Sequence, residues 1–302
     1  MAEERSADAI DAVAQKLLAR YGEHVAALIA YGSRVFGQAR IGSAFDFWLI
    51  VRDAGAFHRA NAEFYRTCLN VPSTPEEQIR LNRAGPLFYA LKEDGAEVKL
   101  AVLDERSLAE FCVHEWWTVK GRMQKPLRMI RSTPAVDQAI LSARREALAC
   151  ALNLTPREFT MEELLREIVG LSYRAEVRPE NKSAKVRSIL DAGRAELERI
   201  YAPLLAELPY VEPRGSPEQG RTGGEGWLDR RGPEERARAR SATLGALRRS
   251  KWCRQSLRFI WRNYRSYAKP LRYIFLKMAG EVEKTFKRRA VKSAKCKVEN
   301  DK

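Results

Sequence analysis

The sequence predicts an α+β protein: a mixed sheet with helices over residues 1–132, a helical region over 133–250, and a basic amphipathic helix within 251–302. Three observations lead there. In the first part, apolar runs of strand length alternate with stretches of helical spacing. From Ala135 to Leu208 the apolar residues recur almost entirely at helical spacing. Charge is also uneven: residues 231–302 carry 22 Lys/Arg and 6 Asp/Glu, a net of +16, whereas the whole 302-residue chain carries +15. A neutral body with a strongly basic tail implies a separate anionic partner for the tail, nucleic acid or an anionic membrane surface.

Taken in order, residues 6–20 read as a first helix with Ser6 as its N-cap. A strand over Val25–Tyr31 breaks at Gly32-Ser33, a helix or loop runs to Gln38, and a second strand covers Asp46–Val51. Asp53-Ala54-Gly55 leads into a helix reaching about Leu69, and Val71–Pro75 is a break. Leu87–Leu91 and Val98–Leu103 flank Glu93-Asp94-Gly95 as a hairpin. A helix from Ser107 to Lys120 stops at Gly121, and Gly121–Pro126 forms a basic turn. Further helices are predicted over 135–152, 160–173 and 182–208, the second opened by the capping box Thr160-Met161-Glu162-Glu163. Residues 212–226, rich in Gly and Pro, read as a loop.

Composition excludes several classes. No run approaches the ~18 apolar residues of a membrane span. The acidic start Met1-Ala2-Glu3-Glu4-Arg5 has the form of neither a secretory signal nor a transit peptide. Five dispersed cysteines (Cys68, Cys112, Cys150, Cys253, Cys296) without a C-x-x-C pair read as reduced thiols of a cytoplasmic protein, with neither a zinc site nor a disulfide frame.

The chemistry centres on Gly32-Ser33 and Asp46. An apolar strand ending in Gly-Ser can present free backbone N–H groups to phosphate. A carboxylate set among Phe45, Phe47, Trp48 and Leu49 must be paired, hydrogen-bonded or bound to a metal. Together they suggest a phosphate-and-metal site of nucleotidyltransferase type.

In the tail, Leu257, Ile260, Trp261, Tyr264, Tyr267, Leu271, Ile274, Phe275, Met278 and Val282 recur at three and four, with arginines and lysines on the other faces. This is a basic amphipathic helix, kinked near Pro270, with the composition of an interfacial membrane helix. The plainer alternative is a helix docked on the core.

Several blocks then resemble one family. They are Tyr31-Gly32-Ser33-Arg34-Val35-Phe36-Gly37-Gln38, Asp46-Phe47, Phe57-His58-Arg59-Ala60-Asn61, Gly121-Arg122-Met123-Gln124-Lys125-Pro126 and Glu167-Ile168-Val169-Gly170-Leu171-Ser172-Tyr173, followed by Trp227-Leu228. In order and spacing they resemble the mitochondrial-type phosphatidate cytidylyltransferases, the translocator assembly and maintenance family, which has bacterial members. The resemblance implies a nucleotidyltransferase domain, a winged-helix-like middle domain and a C-terminal helix that meets the membrane. It implies transfer of a cytidylyl group from CTP to phosphatidic acid, giving CDP-diacylglycerol and pyrophosphate with Mg²⁺. Such a protein would be cytoplasmic and peripheral on the inner face of the cell membrane, held to an anionic surface by its basic helix, with nucleic acid the less favoured partner.

The resemblance also assigns roles. Gly32 and Ser33 would hold CTP phosphates, Asp46 would bind Mg²⁺, and His58 and Asn61, on one face of their helix, could reach the site. Arg122, Gln124 and Lys125 would grip phosphate, and Tyr173 and Arg178 would line the cleft. Asp53 is a possible second carboxylate, although a turn Asp more commonly caps a helix. Two departures stand out: Arg34 replaces a glycine, and Lys99-Leu100-Ala101 keeps only the lysine of the corresponding strand. Where many such enzymes carry further carboxylates, this chain has Trp48 and Lys99. A phosphate monoester, with its second pKa near ~6, is largely dianionic at neutral pH and needs no general base. Lys99 therefore suits an attacking phosphate better than an attacking hydroxyl. The alternatives are nucleotidyl transfer to RNA or a small hydroxyl acceptor, and an inactive nucleic-acid-binding module.

Overall fold

In the computed structural model the described residues are 2–37, 39, 43–62, 74–83, 85–113, 117–175, 181–214 and 226–252. The predicted tail helix and Arg178 lie outside them.

The centre of the molecule is a five-stranded mixed sheet of order β3-β4-β2-β1-β5. Strand β1 (Val25–Tyr31) and β2 (Phe45–Val51) are antiparallel, with Tyr31 opposite Asp46. Strand β4 (Ala96–Asp104) lies parallel to β2, with Lys99 opposite Asp46, and forms a hairpin with β3 (Leu87–Glu93). Asp94 and Gly95 both take positive φ, 47° and 80°, the conformation of a tight two-residue hairpin turn and the reason for Asp-Gly there. The edge strand β5 (Arg128–Arg131), which periodicity does not signal, pairs with β1.

Side chains alternate across the sheet. Phe45, Phe47, Leu49 and Val51 face helix α1 (Ala2–Tyr21) and α2 (Ala54–Ala60), packing with Ile10, Val13, Leu17, Tyr21 and Phe57. Trp48 and Ile50, on the opposite face, meet α4 (Glu105–Val113), α5 (Trp117–Met123) and α6 (Pro134–Leu152) through Leu108, Phe111, Val119, Met123 and Ile140. The sheet is thus buried on both sides, which explains why β1 and β2 read as unbroken apolar runs. Helix α3 (Pro75–Asn82) was not anticipated; Thr74 starts it by accepting the Glu77 N–H at 3.3 Å. Helix α1 begins at Ala2, so Ser6 lies within it and is not its N-cap.

A second core belongs to α6, α7 (Met161–Ala175), α8 (Lys182–Ala206) and α9 (Pro233–Trp252), with Leu165, Ile168, Leu197, Tyr201 and Leu247 at its centre. The capping box forms: the Glu163 N–H donates to Thr160 Oγ1 at 3.2 Å, and the Thr160 N–H to Glu163 Oε2 at 2.8 Å. A small three-stranded sheet, β6 (Glu158–Phe159), β8 (Gly226–Asp229) and β7 (Val211–Arg214), flanks these helices. Both ends of the predicted 212–226 loop are therefore strand. No helix among the described residues is long and apolar enough to cross a membrane.

Candidate active site

At the end of β1 the chain must turn sharply while staying against β2. Gly32 permits this: it sits at φ +85°, and a Cβ there would lie 2.7 Å from Asp46 Oδ2. From Gly32 to Gly37 the chain forms successive turns, with the Val35 N–H donating to the Gly32 carbonyl at 3.1 Å, instead of the helix that Gly-Ser allowed. Arg34, the departure from the family pattern, folds back to close this loop. Its Nε donates to the Ser43 carbonyl at 3.1 Å, and its guanidinium lies 3.7 Å from the centre of the Phe45 ring.

Asp46 lies in register between Tyr31 on β1 and Lys99 on β4. Burial pushes its carboxyl above the ordinary carboxylate range, while the positive charges of Lys99, Arg122 and Arg34 oppose that shift. Two residues further along the same face, Trp48 is fully buried and packs on Tyr31 and Phe88, with ring centres 5.7 and 6.4 Å away. An aromatic wall thus fills the position where many nucleotidyltransferases carry a second carboxylate. Asp53 is no second carboxylate for this site either. It follows β2 at the end away from Asp46 and caps α2, accepting the Ala56 N–H at 2.8 Å.

The Gly-Arg-Met-Gln-Lys-Pro block and the Gly-Leu-Ser-Tyr block interlock. Gly121 does not stop a helix; it lies inside α5, and a Cβ there would come within 2.4 Å of Ser172 Cβ on α7. Gln124 Nε2 donates to the Ile168 carbonyl at 2.7 Å, and the Lys125 ammonium lies 4.8 Å from the centre of the Tyr173 ring. Tyr201 of α8 donates its hydroxyl to the Gln124 carbonyl at 2.6 Å. Gln124 is therefore a fully buried strut between helices, not a surface phosphate ligand. Arg122, one residue after Gly121, is held where its charge acts on Asp46. A further glycine that sequence reasoning missed, Gly193 in α8, leaves room for Phe36 of the Gly-Ser loop, whose ring carbons would approach a Cβ there to 3.0 and 3.1 Å. A glycine in mid-helix was the available signal. The helical region thus supports both the phosphate-type turn and the basic block. Tyr173 also lines a cavity of about 710 Å³ between α7 and α8, with Arg166, Arg174, Lys182 and Arg187 among its walls.

His58 and Asn61 are not brought to Asp46. His58 belongs to the opposite face of the sheet, fully buried beside Tyr89, with Nε2 3.2 Å from Asn82 Oδ1 and Nδ1 3.5 Å from the Tyr89 hydroxyl. Asn61 closes α2, its side-chain amide donating to the Phe57 carbonyl at 2.8 Å. Burial holds the His58 pKa below the ordinary histidine value of 6.5, against the opposing effect of its Asn82 hydrogen bond. The imidazole therefore takes a proton less readily in the fold than in the unfolded chain, so its contribution to stability falls as pH drops below ~6.5. His58→Gln is expected to flatten this dependence. Urea unfolding midpoints at pH 7.5 and 5.5 test it, and an unchanged pH slope in the variant would refute the assignment.

A glycine turn facing one carboxylate near the start of the central strand of a mixed sheet, backed by helices, defines an α+β protein of nucleotidyltransferase type. Residues 14–267 match the family described as phosphatidate cytidylyltransferase, mitochondrial, and the chain belongs to that family. Among curated relatives, the mitochondrial phosphatidate cytidylyltransferase of Caenorhabditis briggsae is 29% identical over 210 residues, covering 64% of this chain and 65% of its own length. That of Caenorhabditis elegans is 29% identical, covering 66% and 67%. The human protein is 26% identical, covering 71% of this chain and 49% of its own length. The match to the first of these relatives thus spans just under two thirds of its length.

Proposed function

We propose that this chain transfers a cytidylyl group from CTP to phosphatidic acid, forming CDP-diacylglycerol and releasing pyrophosphate. The observation that carries this reading is Asp46, set against Gly32 and under the charges of Lys99, Arg122 and Arg34. The bond that forms joins a phosphatidate oxygen to the α-phosphorus of CTP; the bond that breaks frees pyrophosphate. An attacking phosphate oxygen carries no proton to remove, so no general base is required. What the reaction needs is neutralisation of two polyanions brought together, and three cations beside one carboxylate suit that need.

Gly32 and Ser33 would hold CTP phosphates through backbone and hydroxyl donors, and Lys99 would steer the acceptor phosphate. Arg122 and Lys125 would hold the substrates from the α5 side, with Tyr173 lining the cavity beside them. Among the described residues no group of three or more His, Cys, Asp or Glu converges. A single carboxylate nonetheless fits Mg²⁺, which takes most of its oxygen ligands from nucleotide phosphates and water. Asp46 would hold that ion, which neutralises charge on the phosphate oxygens. The basic tail, with its sequence of an interfacial helix, would place the enzyme on an anionic membrane surface.

The test is radiolabelled CTP with phosphatidic acid in mixed micelles. Labelled lipid should appear only when Mg²⁺ and phosphatidic acid are both present. Label transferred to RNA or to a soluble hydroxyl compound instead would overturn the reading.

A further inference from the structure

Away from Asp46, the junction of α9 with the small sheet holds a cavity of about 420 Å³ that no carboxylate lines. Five arginines surround it: Arg157, Arg230, Arg231, Arg236 and Arg240. None of these belongs to the site built around Gly32 and Asp46. Arg236 and Arg240, four apart, share a face of α9.

Two of the guanidiniums are fixed from behind. Asp229 is fully buried and receives Arg231 through both Nε and Nη2, at 3.0 and 2.7 Å, together with Arg236 Nη1. Arg231 also donates through Nη1 to Asn153 Oδ1 at 2.8 Å and stacks on Tyr210, 4.7 Å from the ring centre. Arg236 donates through Nη2 to the Thr155 carbonyl at 2.8 Å. Of about five N–H donors on each guanidinium, these contacts leave two on Arg231 and three on Arg236.

The remaining three are less committed. Arg230 pairs with Glu212 at 3.2 Å. Among the described residues, Arg240 has one hydrogen-bond contact, to the Leu154 carbonyl at 3.5 Å, and the Arg157 side chain has no hydrogen bond or ion pair. Glu158, next to Arg157, is taken by Arg214 at 2.6 Å. Against five arginines stand the carboxylates of Asp229, Glu212 and Glu235, whose charge also acts on Arg231. The surplus is two positive charges.

We propose that this cavity is a phosphate site, taking a dianionic phosphate as a monoester headgroup or as inorganic phosphate. Preset guanidinium forks match phosphate oxygens in geometry as well as charge. The concave cavity has room for a phosphate together with the group that carries it, whereas a nucleic-acid backbone would need an extended groove. The site is separate from the transfer reaction and remains even if the acceptor there is not phosphatidic acid.

The test uses the full chain and its Arg157→Ala/Arg240→Ala variant, both changes on exposed side chains. Binding is titrated calorimetrically at fixed ionic strength with inorganic phosphate, with monomeric short-chain phosphatidic acid, and with chloride as control. Besides any binding at the Asp46 site, which both proteins share, wild type should show a phosphate-binding event that the variant loses or weakens by about tenfold or more, while turnover with saturating soluble substrates stays unchanged. Tighter binding of the short-chain lipid than of phosphate at this event assigns a lipid headgroup; equal binding assigns free phosphate. Identical isotherms for the two proteins, or a chloride response equal to that of phosphate, would overturn the proposal.

Discussion

Asp46→Asn is expected to abolish CTP-dependent transfer and, at neutral pH, to stabilise the fold. Both effects have one cause. The Asp46 carboxyl is raised by burial more than Lys99, Arg122 and Arg34 lower it, so its ionised form is held at a cost that these cations do not offset. A raised carboxyl in the folded state means that the folded protein binds the proton more tightly than the unfolded chain. The contribution of Asp46 to stability is then greatest below the ordinary carboxylate value of 3.8 and declines as pH rises through the folded value, leaving the full deficit at neutral pH. Asn removes the charge and nearly keeps the shape, so the deficit disappears. The unfolding midpoint of the variant should exceed that of wild type at pH 7.5, and the gap should close on acidification. Activity should fall by at least about a hundredfold, the scale of losing a group that organises charge in a phosphoryl-type transition state. A variant with near-normal turnover would remove Asp46 from the reaction. A variant less stable at pH 7.5 would show that the three cations already compensate the carboxylate in the free protein.

The elements that local chemistry determines were legible in the sequence, and those set by distant partners were not. β1 and β2 appear within one residue of expectation because unbroken apolar runs bounded by turn residues have few other uses. The 87–103 hairpin follows from Asp94-Gly95, and the Thr160 capping box from its own four residues. Gly121 was misplaced because a glycine after helical spacing has two meanings. It can end a helix or admit a neighbour, and the neighbour here is Ser172, far away in sequence. His58 and Asn61 share a spacing that puts them on one helix face, but nothing local says which side of the sheet that helix covers. The partners that claim His58 are Asn82 and Tyr89, 24 and 31 residues on. The two- and four-residue strands β6, β7 and β8 are too short to carry a periodicity of their own. At the candidate site, Gly32 and Asp46 were identifiable from the apolar strands they bound, and Lys99 from the family resemblance. The contribution of Arg34 was not, because it depends on how the 32–45 loop closes.

Gly121→Ala is expected to destabilise the protein by about 1–3 kcal/mol, the cost of overpacking a filled contact, and to lower activity although residue 121 touches no substrate. The added methyl would sit 2.4 Å from Ser172 Cβ and 3.2 Å from Ser172 Cα, so α5 and α7 must separate. Separation carries Arg122 away from Asp46, draws Lys125 off Tyr173 and stretches the Gln124–Ile168 bond, because all three lie within four residues of the wedge. The effect should therefore divide into lost stability and a fall in turnover, not a simple loss of folded protein. Ser172→Gly supplies the control. It removes the Cβ that the new methyl would strike and leaves the 3.2 Å approach to Cα, which a shift of a few tenths of an ångström relieves. In a double-mutant cycle, Gly121→Ala/Ser172→Gly should recover stability and activity relative to Gly121→Ala alone, with an interaction of about 1 kcal/mol or more, as direct contacts give. If the two changes are instead additive, the two blocks do not interlock through this pair, and Arg122 is positioned by something other than the seat of α5 on α7.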